Sequence, residues 1–499
     1  LAKRIESLLT RLCKSLAISS MTILLAPALT HECRAAPLDI IQTKINQLLK
    51  RPGVRSALWG IQILDQATST VLVEVNPDKT FLPASVLKVV TTSAALEKLG
   101  PEFRYRTGVY TNGTVESDGT VSGDLVLVGR GDPNLMDSYG ELLEKPALPD
   151  LAEALQNMGI KTVEGDIIAD DSYFGIQSFG KGWTATDLKS PYGAPVNALS
   201  INNNVVCVDV HPTKYNRAVR VELEPRTSYF RVRNQGITGS SRTRRTVKVR
   251  LIPGTNIIAV SGVLPSTKIC RQYVLLEKPA EATATMFMEE LQKHGIDVDG
   301  KVSAIHKGDT LKEDREGLQL LAEHQSPPLI RALEIINKRS QNLHAEMLLR
   351  TLGAEFKGEG TDEAGLQVVK EFLVESGIDS EKIRLNDGCG LSRDNLLTPR
   401  FQTSLLEFLS RRPYFDLFLG TLAVSGTDGT LKNRLSATQV KGSIRAKTGS
   451  LKGVTALCGY INTKSGRNLA FSIFANQVKV SARVQRTMDE ICSLFVNLY

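Results

Sequence analysis

An α+β architecture is expected for this 499-residue chain. Its opening reads β-β-α, its middle is a long series of short β-like runs, and its last third mixes helices with strands. Hydrophobic residues make up 42% and charged residues 23%, which excludes collagen, coiled coil and general disorder. At about 150 residues per domain the length accommodates roughly three domains.

The first 36 residues read as an export signal. Lys3, Arg4, Arg11 and Lys14 form a basic flank, Leu16 to Leu29 is an uncharged, mostly apolar run, and small residues follow at Ala35 and Ala36. Cleavage zones fit at both Ala26-Pro27-Ala28 and Cys33-Arg34-Ala35. The apolar run is too short to span a bilayer comfortably, so a polytopic membrane protein is excluded and no integral span is expected in the mature chain.

Ala57 to Leu64 and Ser69 to Val75 are strand candidates, and Ser85 to Leu99 is helical, stopped by Gly100 and Pro101. From about 104 to 310, β-like runs such as Asp124 to Val128, Gly165 to Ala169, Val205 to Val210, Val247 to Ile252 and Ile257 to Val260 alternate with Gly, Pro, Asn and Asp. Leu151 to Met158 and Ala282 to Lys293 read as helices there. Pro328 to Asn337, Asn342 to Leu352 and Asp362 to Ser376 are helical. Ser443 to Lys447, Val454 to Ile461 and Leu469 to Ala475 are strands, the last two joined as a hairpin. An amphipathic helix closes the chain at Ser481 to Leu498.

The formal charge is +8, and loss of residues 1–36, which carry five basic and two acidic side chains, leaves +5. The sharpest basic run holds Arg242, Arg244 and Arg245. It lacks interleaved aromatics, so it reads as a solvated strand-flanking loop that could face an anionic polymer, and no nucleic-acid partner is expected. The seven cysteines are scattered without CxxC, and Cys207–Cys270 is a possible pair. The six histidines form no HExxH or HxH, so neither a catalytic metal nor a cofactor is expected.

Three short motifs carry chemistry. Ser85-Val86-Leu87-Lys88 is S-x-x-K, whose spacing puts Ser85 and Lys88 one helical turn apart on one face. A serine hydroxyl needs a base within reach, and a lysine whose pKa is lowered by burial can be that base. Ser178 to Lys181 also matches, but a Gly-rich loop surrounds it and no helix fixes its spacing. Ser340-Gln341-Asn342 is S-x-N at a turn between two helical runs, with a chance twin at Ser200-Ile201-Asn202. Alone, Ser340 would read as a helix N-cap. Lys447-Thr448-Gly449-Ser450 is K-T-G-S at the end of a strand candidate. It offers a cation, a hydroxyl and backbone N–H groups to a carboxylate-bearing ligand, with Gly449 admitting close backbone approach.

In this order, on helix, turn and strand, the three form the S-x-x-K, S-x-N, K-T-G set of penicillin-binding proteins and serine β-lactamases. From about residue 40 to the end, the chain resembles the D-alanyl-D-alanine carboxypeptidase/endopeptidase family, the class C low-molecular-mass penicillin-binding proteins. The resemblance also rests on Gly129 to Pro133 (GRGDP), Tyr192 to Pro195 (YGAP), Asn342 to Gly353, Asp387 to Arg393 (DGCGLSR), Ser425 to Leu431 (SGTDGTL) and the long interval between Ser85 and Ser340. It implies a β-lactamase-like transpeptidase core, an antiparallel sheet with helices on both faces, over 37–105 and 322–499. Two nested, mainly β inserts would interrupt it, the first at 106–205 and 276–321 and the second at 206–275. Cys389 departs from the family's usual Ser, with little loss expected because the two are nearly the same size.

The resemblance further implies a serine peptidase exported to the periplasm or cell envelope, acting on peptidoglycan stem peptides and inhibited by β-lactams. Ser85 would attack the carbonyl between two D-alanines while Lys88 takes its proton. The N–H groups of Ser85 and Ser450 would form the oxyanion hole. Ser340 would pass a proton to the leaving amine, Asn342 would hold the substrate amide, and Lys447 and Thr448 would anchor the terminal carboxylate. Asp170, Phe174 and Arg393 align with places that read the diaminopimelate end in relatives, the bland reading of Asp170 being a loop-capping carboxylate. A β-lactamase or a catalytically vestigial peptidoglycan-binding protein is the alternative. No E-x-x-L-N segment of class A enzymes and no G-x-S-x-G elbow occurs in the chain.

Overall fold

The computed structural model describes residues 38–133, 135, 146–309 and 317–498. The expected export signal and its cleavage zones lie outside them. A six-stranded, wholly antiparallel sheet forms the core, in the order Ala423–Val424, Ile444–Leu451, Val454–Asn462, Asn468–Asn476, Leu58–Asp65 and Val71–Val75. Its central strands are nearly continuously apolar because both faces are covered. Ala456, Cys458 and Tyr460 face one apolar cluster, with Val89, Leu348, Phe372 and Leu405 from the helices Lys88–Leu99, Asn342–Lys357, Asp362–Glu375 and Pro399–Ser410. Leu457 and Ile461 face the other, where Ile41 and Ile45 of Leu38–Leu49 meet Val484, Met488 and Phe495 of Ser481–Leu498. Alternation along a strand thus feeds two cores, and the expected sheet with helices on both faces is present.

The middle region leaves and rejoins this core at one point. Arg106–Thr111 leads out and Gln319–Gln325 leads back, paired antiparallel from Arg106 opposite Gln325 to Thr111 opposite Gln319. Ser326 N–H also donates to the Tyr105 carbonyl at 3.0 Å. Entry and exit side by side let more than two hundred residues loop out without displacing Ser85 from Ser340. The five-stranded sheet here runs Val302–Ile305, Ile167–Asp170, Leu125–Val128, Arg106–Thr111, Gln319–Gln325. Two of its pairs are parallel, and parallel neighbours require crossovers. Helices Ala147–Asn157 and Pro279–Lys293 supply apolar cover through Leu151, Leu155, Phe287 and Leu291.

Within this excursion lie two three-stranded sheets. One is Arg220–Glu224, Val205–His211, Cys270–Leu275, and the other is Arg231–Gly239, Ile257–Pro265, Lys248–Leu251. Val206, Val208, Ile258 and Val260 join the apolar cluster that holds Leu151 and Phe287, so these sheets and the five-stranded sheet share one core.

Cys207 and Cys270 sit on adjacent strands but out of register: Cys207 faces Tyr273 and Cys270 faces Val210. Three residues along a strand separate them by about 10 Å, beyond the Cα separation a disulfide tolerates. The possible Cys207–Cys270 pair is therefore not formed, and all five described cysteines are buried free thiols. Among the described residues, no helix is long and apolar enough to cross a membrane.

Candidate active site

Ser85 and Lys88 lie where a 3₁₀ turn, Ala84–Leu87, runs into the helix Lys88–Leu99. Side chains three residues apart eclipse in such a turn, and Lys88 Nζ reaches Ser85 Oγ at 3.0 Å. Val86, Leu87 and Lys88 are buried, and Ser85 alone in this turn is partly open. Ala84, just before the nucleophile candidate, holds φ +49°, a strained value for a residue with a Cβ.

Lys88 Nζ has two further partners, Asn342 Oδ1 at 2.6 Å and the Cys389 carbonyl at 2.7 Å. Both can only accept. The Asn342 amide is oriented because its Nδ2 donates to the Tyr192 carbonyl at 2.8 Å. A neutral amine has two N–H groups and one lone pair. Its hydrogens match the two carbonyl-type oxygens, which leaves the lone pair facing the Ser85 hydroxyl. Burial pushes the Lys88 pKa down, and the ionisable groups behind it, Cys389, Asp387 and Glu346, act the other way and partly oppose this.

A buried scaffold fixes the Cys389 carbonyl. Glu346, from the helix Asn342–Lys357, accepts the N–H of Cys389 at 2.7 Å and that of Gly388 at 3.0 Å. Asp387 accepts from the N–H groups of Gly390 and Ser392 and from the Trp183 indole. Gly390 takes φ +84°, and a Cβ there would strike the Ala84 carbonyl at 2.0 Å, so only glycine lets this loop close on the nucleophile turn. Glu346, Asp387 and Cys389 bring three potential metal donors within 4.8 Å of one another. Here the two carboxylates accept backbone amides, and the Cys389 thiol donates to Asp387. Burial and the neighbouring carboxylates push the Cys389 thiol well up.

Ser340 ends a π-helical turn, Ile335–Arg339, in left-handed conformation at φ +61°. The helix after it is capped by the Gln341 side chain, which accepts from Leu343 N–H. The N-cap reading of Ser340 is thus replaced: its hydroxyl accepts from Lys447 Nζ at 2.8 Å. The Ser425 to Leu431 segment braces the turn. Lys338 bonds Asp428 at 2.9 Å, and Thr448 Oγ1 donates to Thr430 Oγ1 at 2.8 Å.

Lys447 is fully buried within the strand Ile444–Leu451, which continues through K-T-G-S rather than ending at Lys447. Gly449 explains the continuation: its α-carbon face packs on the nucleophile turn, and a Cβ would lie 2.7 Å from the Pro83 carbonyl and 3.2 Å from Ser85 N. The outer neighbour Ala423–Val424 pairs only with Ala446 and Arg445, so beyond them the strand has no outer strand partner among the described residues. Burial pushes the Lys447 pKa well down, and the nearness of Lys88 lowers it further, because two ammonium groups would repel.

Ser85, Lys88 and Asn342 thus form one hydrogen-bonded trio and Ser340 and Lys447 a pair, with Thr448, Gly449 and Ser450 following Lys447 on the strand. The other three candidates lie apart from it. Arg393 is half-buried and donates to the Lys452 carbonyl at 3.2 Å, at the turn just after Ser450. Asp170 is buried at the end of its strand and accepts from Ser172 N–H at 3.0 Å, a loop-capping contact. Phe174 is 2% exposed and packs among Val196, Ala198, Leu343 and Met347, joining the insert to the core. Sequence reasoning gave no role to Glu346, Asp387, Tyr192 or Thr430, although each lies in a stretch that carried the resemblance.

Comparison with known proteins bears on the family of the whole chain. A profile of the D-Ala-D-Ala carboxypeptidase 3 (S13) family matches residues 41–495. A D-alanyl-D-alanine carboxypeptidase of Actinomadura sp. (strain R39) is 33% identical over 468 residues, spanning 91% of this chain and 84% of that one. The D-alanyl-D-alanine carboxypeptidase DacB of Haemophilus influenzae is 30% identical over 418 residues, 81% of this chain and 82% of its own. A crystal structure of penicillin binding protein 4 (dacB) from Haemophilus influenzae superposes with a TM-score of 0.78 at 26% identity, covering 91% of this chain and 99% of the other. A second structure of that protein holds a β-lactam. With the motif geometry and a match along nearly its whole length, the chain belongs to the D-Ala-D-Ala carboxypeptidase (S13) family of penicillin-binding proteins.

Proposed function

We propose that the protein is a serine-type D-Ala-D-Ala carboxypeptidase of exported peptidoglycan, with Ser85 as nucleophile and Lys88 as its base. The observation that carries this is the partner set of Lys88: two obligate acceptors and one hydroxyl, in a buried site that disfavours the ammonium.

The terminal carboxylate of the stem peptide binds at Lys447 and Thr448. Its negative charge raises the Lys447 pKa, and the resulting ammonium favours the neutral form of nearby Lys88. Ser85 Oγ then bonds to the carbonyl carbon and its proton moves to Lys88 Nζ. The N–H groups of Ser85 and Ser450 receive the oxyanion, a contribution of about 3–4 kcal/mol per donor in comparable sites. The C–N bond breaks, the departing D-alanine amine takes a proton through Ser340, and Asn342 holds the substrate amide. Water cleaves the Ser85 ester. The same steps on a cross-linked stem peptide constitute endopeptidase activity, and a β-lactam would acylate Ser85 and dwell there.

Hydrolysis of a synthetic peptide ending in D-Ala-D-Ala tests the reading, with free D-alanine as readout. Wild-type protein should release it and Ser85→Ala should not. Activity persisting in Ser85→Ala would refute the proposal. A muropeptide dimer cross-linked through a D-alanyl amide bond, assayed in parallel, reports the endopeptidase arm.

A further inference from the structure

Charge is distributed unevenly along this chain. Residues 206–275 hold thirteen Lys and Arg against three Asp and Glu, a net of +10, whereas the chain as a whole carries +8, so the other 429 residues together carry −2. Two of the three acids of the segment are already engaged, Asp209 with Arg271 and Glu222 with Arg220 and His211, and the third, Glu224, lies opposite Cys207 at the edge of the first sheet.

The surplus collects on the second sheet. Register places Arg233, Ala259 and Arg250 in one row, and Gln235, Ser261 and Lys248 in the next; Arg231 lies opposite Ile257. Directly opposed residues share a face, so Arg231 and Arg233 line one side of it and Lys248 and Arg250 the other. All four are exposed. None of the four makes an ion pair among the described residues; Arg231 lines a cleft with Glu281, which is itself bonded to Lys278 at 2.8 Å. The floor between the two lines is small, Ala259 and Ser261. Two strand spacings make the trough about 10 Å wide, and cations along each line recur about every 7 Å. On the opposite face, Ile258 and Val260 of the central strand are buried in the core, with Val249 and Leu251 packed against it. The exposed Arg242, Arg244 and Arg245 lie on the loop that joins two of these strands.

We infer that this face binds a linear polyol-phosphate glycopolymer of the cell envelope, one phosphodiester per short repeat. Guanidinium forks suit phosphate oxygens. The floor of the trough, Ala259 and Ser261, carries no aromatic platform for stacking bases; Tyr229 lines the cleft at the Arg231 end, and Ile237 is a single exposed apolar side chain further along the strand, too little to enter a bilayer. The choice of an envelope polymer rests on the peptidoglycan reading above; the polyanion site itself does not.

The probe is polyglycerol phosphate of defined length, titrated into the full-length mature protein at 50 to 300 mM salt, against the variant R231Q/R233Q/K248Q/R250Q. Wild type should bind at low salt. The variant should bind at least tenfold more weakly, with the slope of log K against log salt reduced by about 3, and with unchanged melting temperature and release of D-alanine. If the quadruple variant fails to fold, R233Q/R250Q should show the same loss in part. Absence of binding, or equal binding by a folded variant, would overturn the proposal. So would tighter binding to polygalacturonate, to duplex DNA of matched charge, or to vesicles with 30% phosphatidylglycerol. Self-association of the wild type that the variant abolishes would instead assign the face to a second copy. Because the readout is binding, it can fail while D-alanine release stands, and the reverse.

Discussion

Lys88 Nζ lies 2.6 Å from Asn342 Oδ1 although 254 residues separate the two in sequence. The short contact forces the amide oxygen toward the amine, and with the Cys389 carbonyl it occupies both hydrogens of a neutral lysine. Lys88→Met keeps most of the buried volume but removes the base. Acylation by benzylpenicillin, followed by intact mass, should slow by about a thousandfold, while the protein still melts cooperatively. Acylation at the wild-type rate would overturn the role of Lys88. Because burial lowers its pKa, the wild-type acylation rate should rise with pH through a limb lying below the 10.5 of a free lysine.

At Cys389 the backbone rather than the thiol does the positioning. Its carbonyl holds Lys88, and its N–H is held by Glu346. Cys389→Ser should therefore change acylation less than about threefold, since a hydroxyl can still donate to Asp387. Glu346→Ala should slow it at least tenfold and destabilise the fold by about 1–3 kcal/mol for each buried N–H left without an acceptor. The pair of acylation rates, measured side by side with melting curves, separates the two.

Gly449 is where the substrate strand touches the nucleophile turn. A methyl group at 2.7 Å from the Pro83 carbonyl must push one of them away. Gly449→Ala should cost about 1–3 kcal/mol of stability and lower the acylation rate by more than that loss alone explains, because the displaced atoms lie beside Ser85 N. Wild-type acylation in this variant would show that the contact is not tight.

His344 supplies a pH dependence. Burial lowers its pKa to about 3 from the ordinary 6.5, and its Nε2 bonds Asn203 Oδ1 at 3.1 Å. The folded state refuses a proton that the unfolded chain accepts. Stability is thus full above pH 6.5 and falls as pH drops toward 3, by up to about 1.4 kcal/mol per unit. Chemical denaturation at several pH values should show this slope, and His344→Gln should flatten it.

The elements of the core were legible because their signals are local. Val454 to Ile461 and Leu469 to Ala475 are nearly continuously apolar because both faces are covered, and Ser481 to Leu498 shows its stripe at helical spacing. The K-T-G strand was cut short because Gly449 looks like a stop; only its packing on Pro83 shows why the strand continues. The three motifs were readable as a set, but their support was not. That Glu346 would accept the Cys389 N–H, or the Tyr192 carbonyl hold the Asn342 amide, depends on groups meeting across 43 and 150 residues. The same limit applies to Phe174, whose burial among Leu343 and Met347 is a contact between insert and core that no local pattern announces.

The account depends above all on Ser85 being an activated nucleophile. Mature protein mixed with benzylpenicillin, digested and mapped by mass spectrometry over minutes to hours, tests this most directly. A single persistent penicilloyl adduct on Ser85 is predicted. Consumption of penicillin with no lasting adduct would point to a β-lactamase, and neither adduct nor consumption, or an adduct on another residue, would contradict the account.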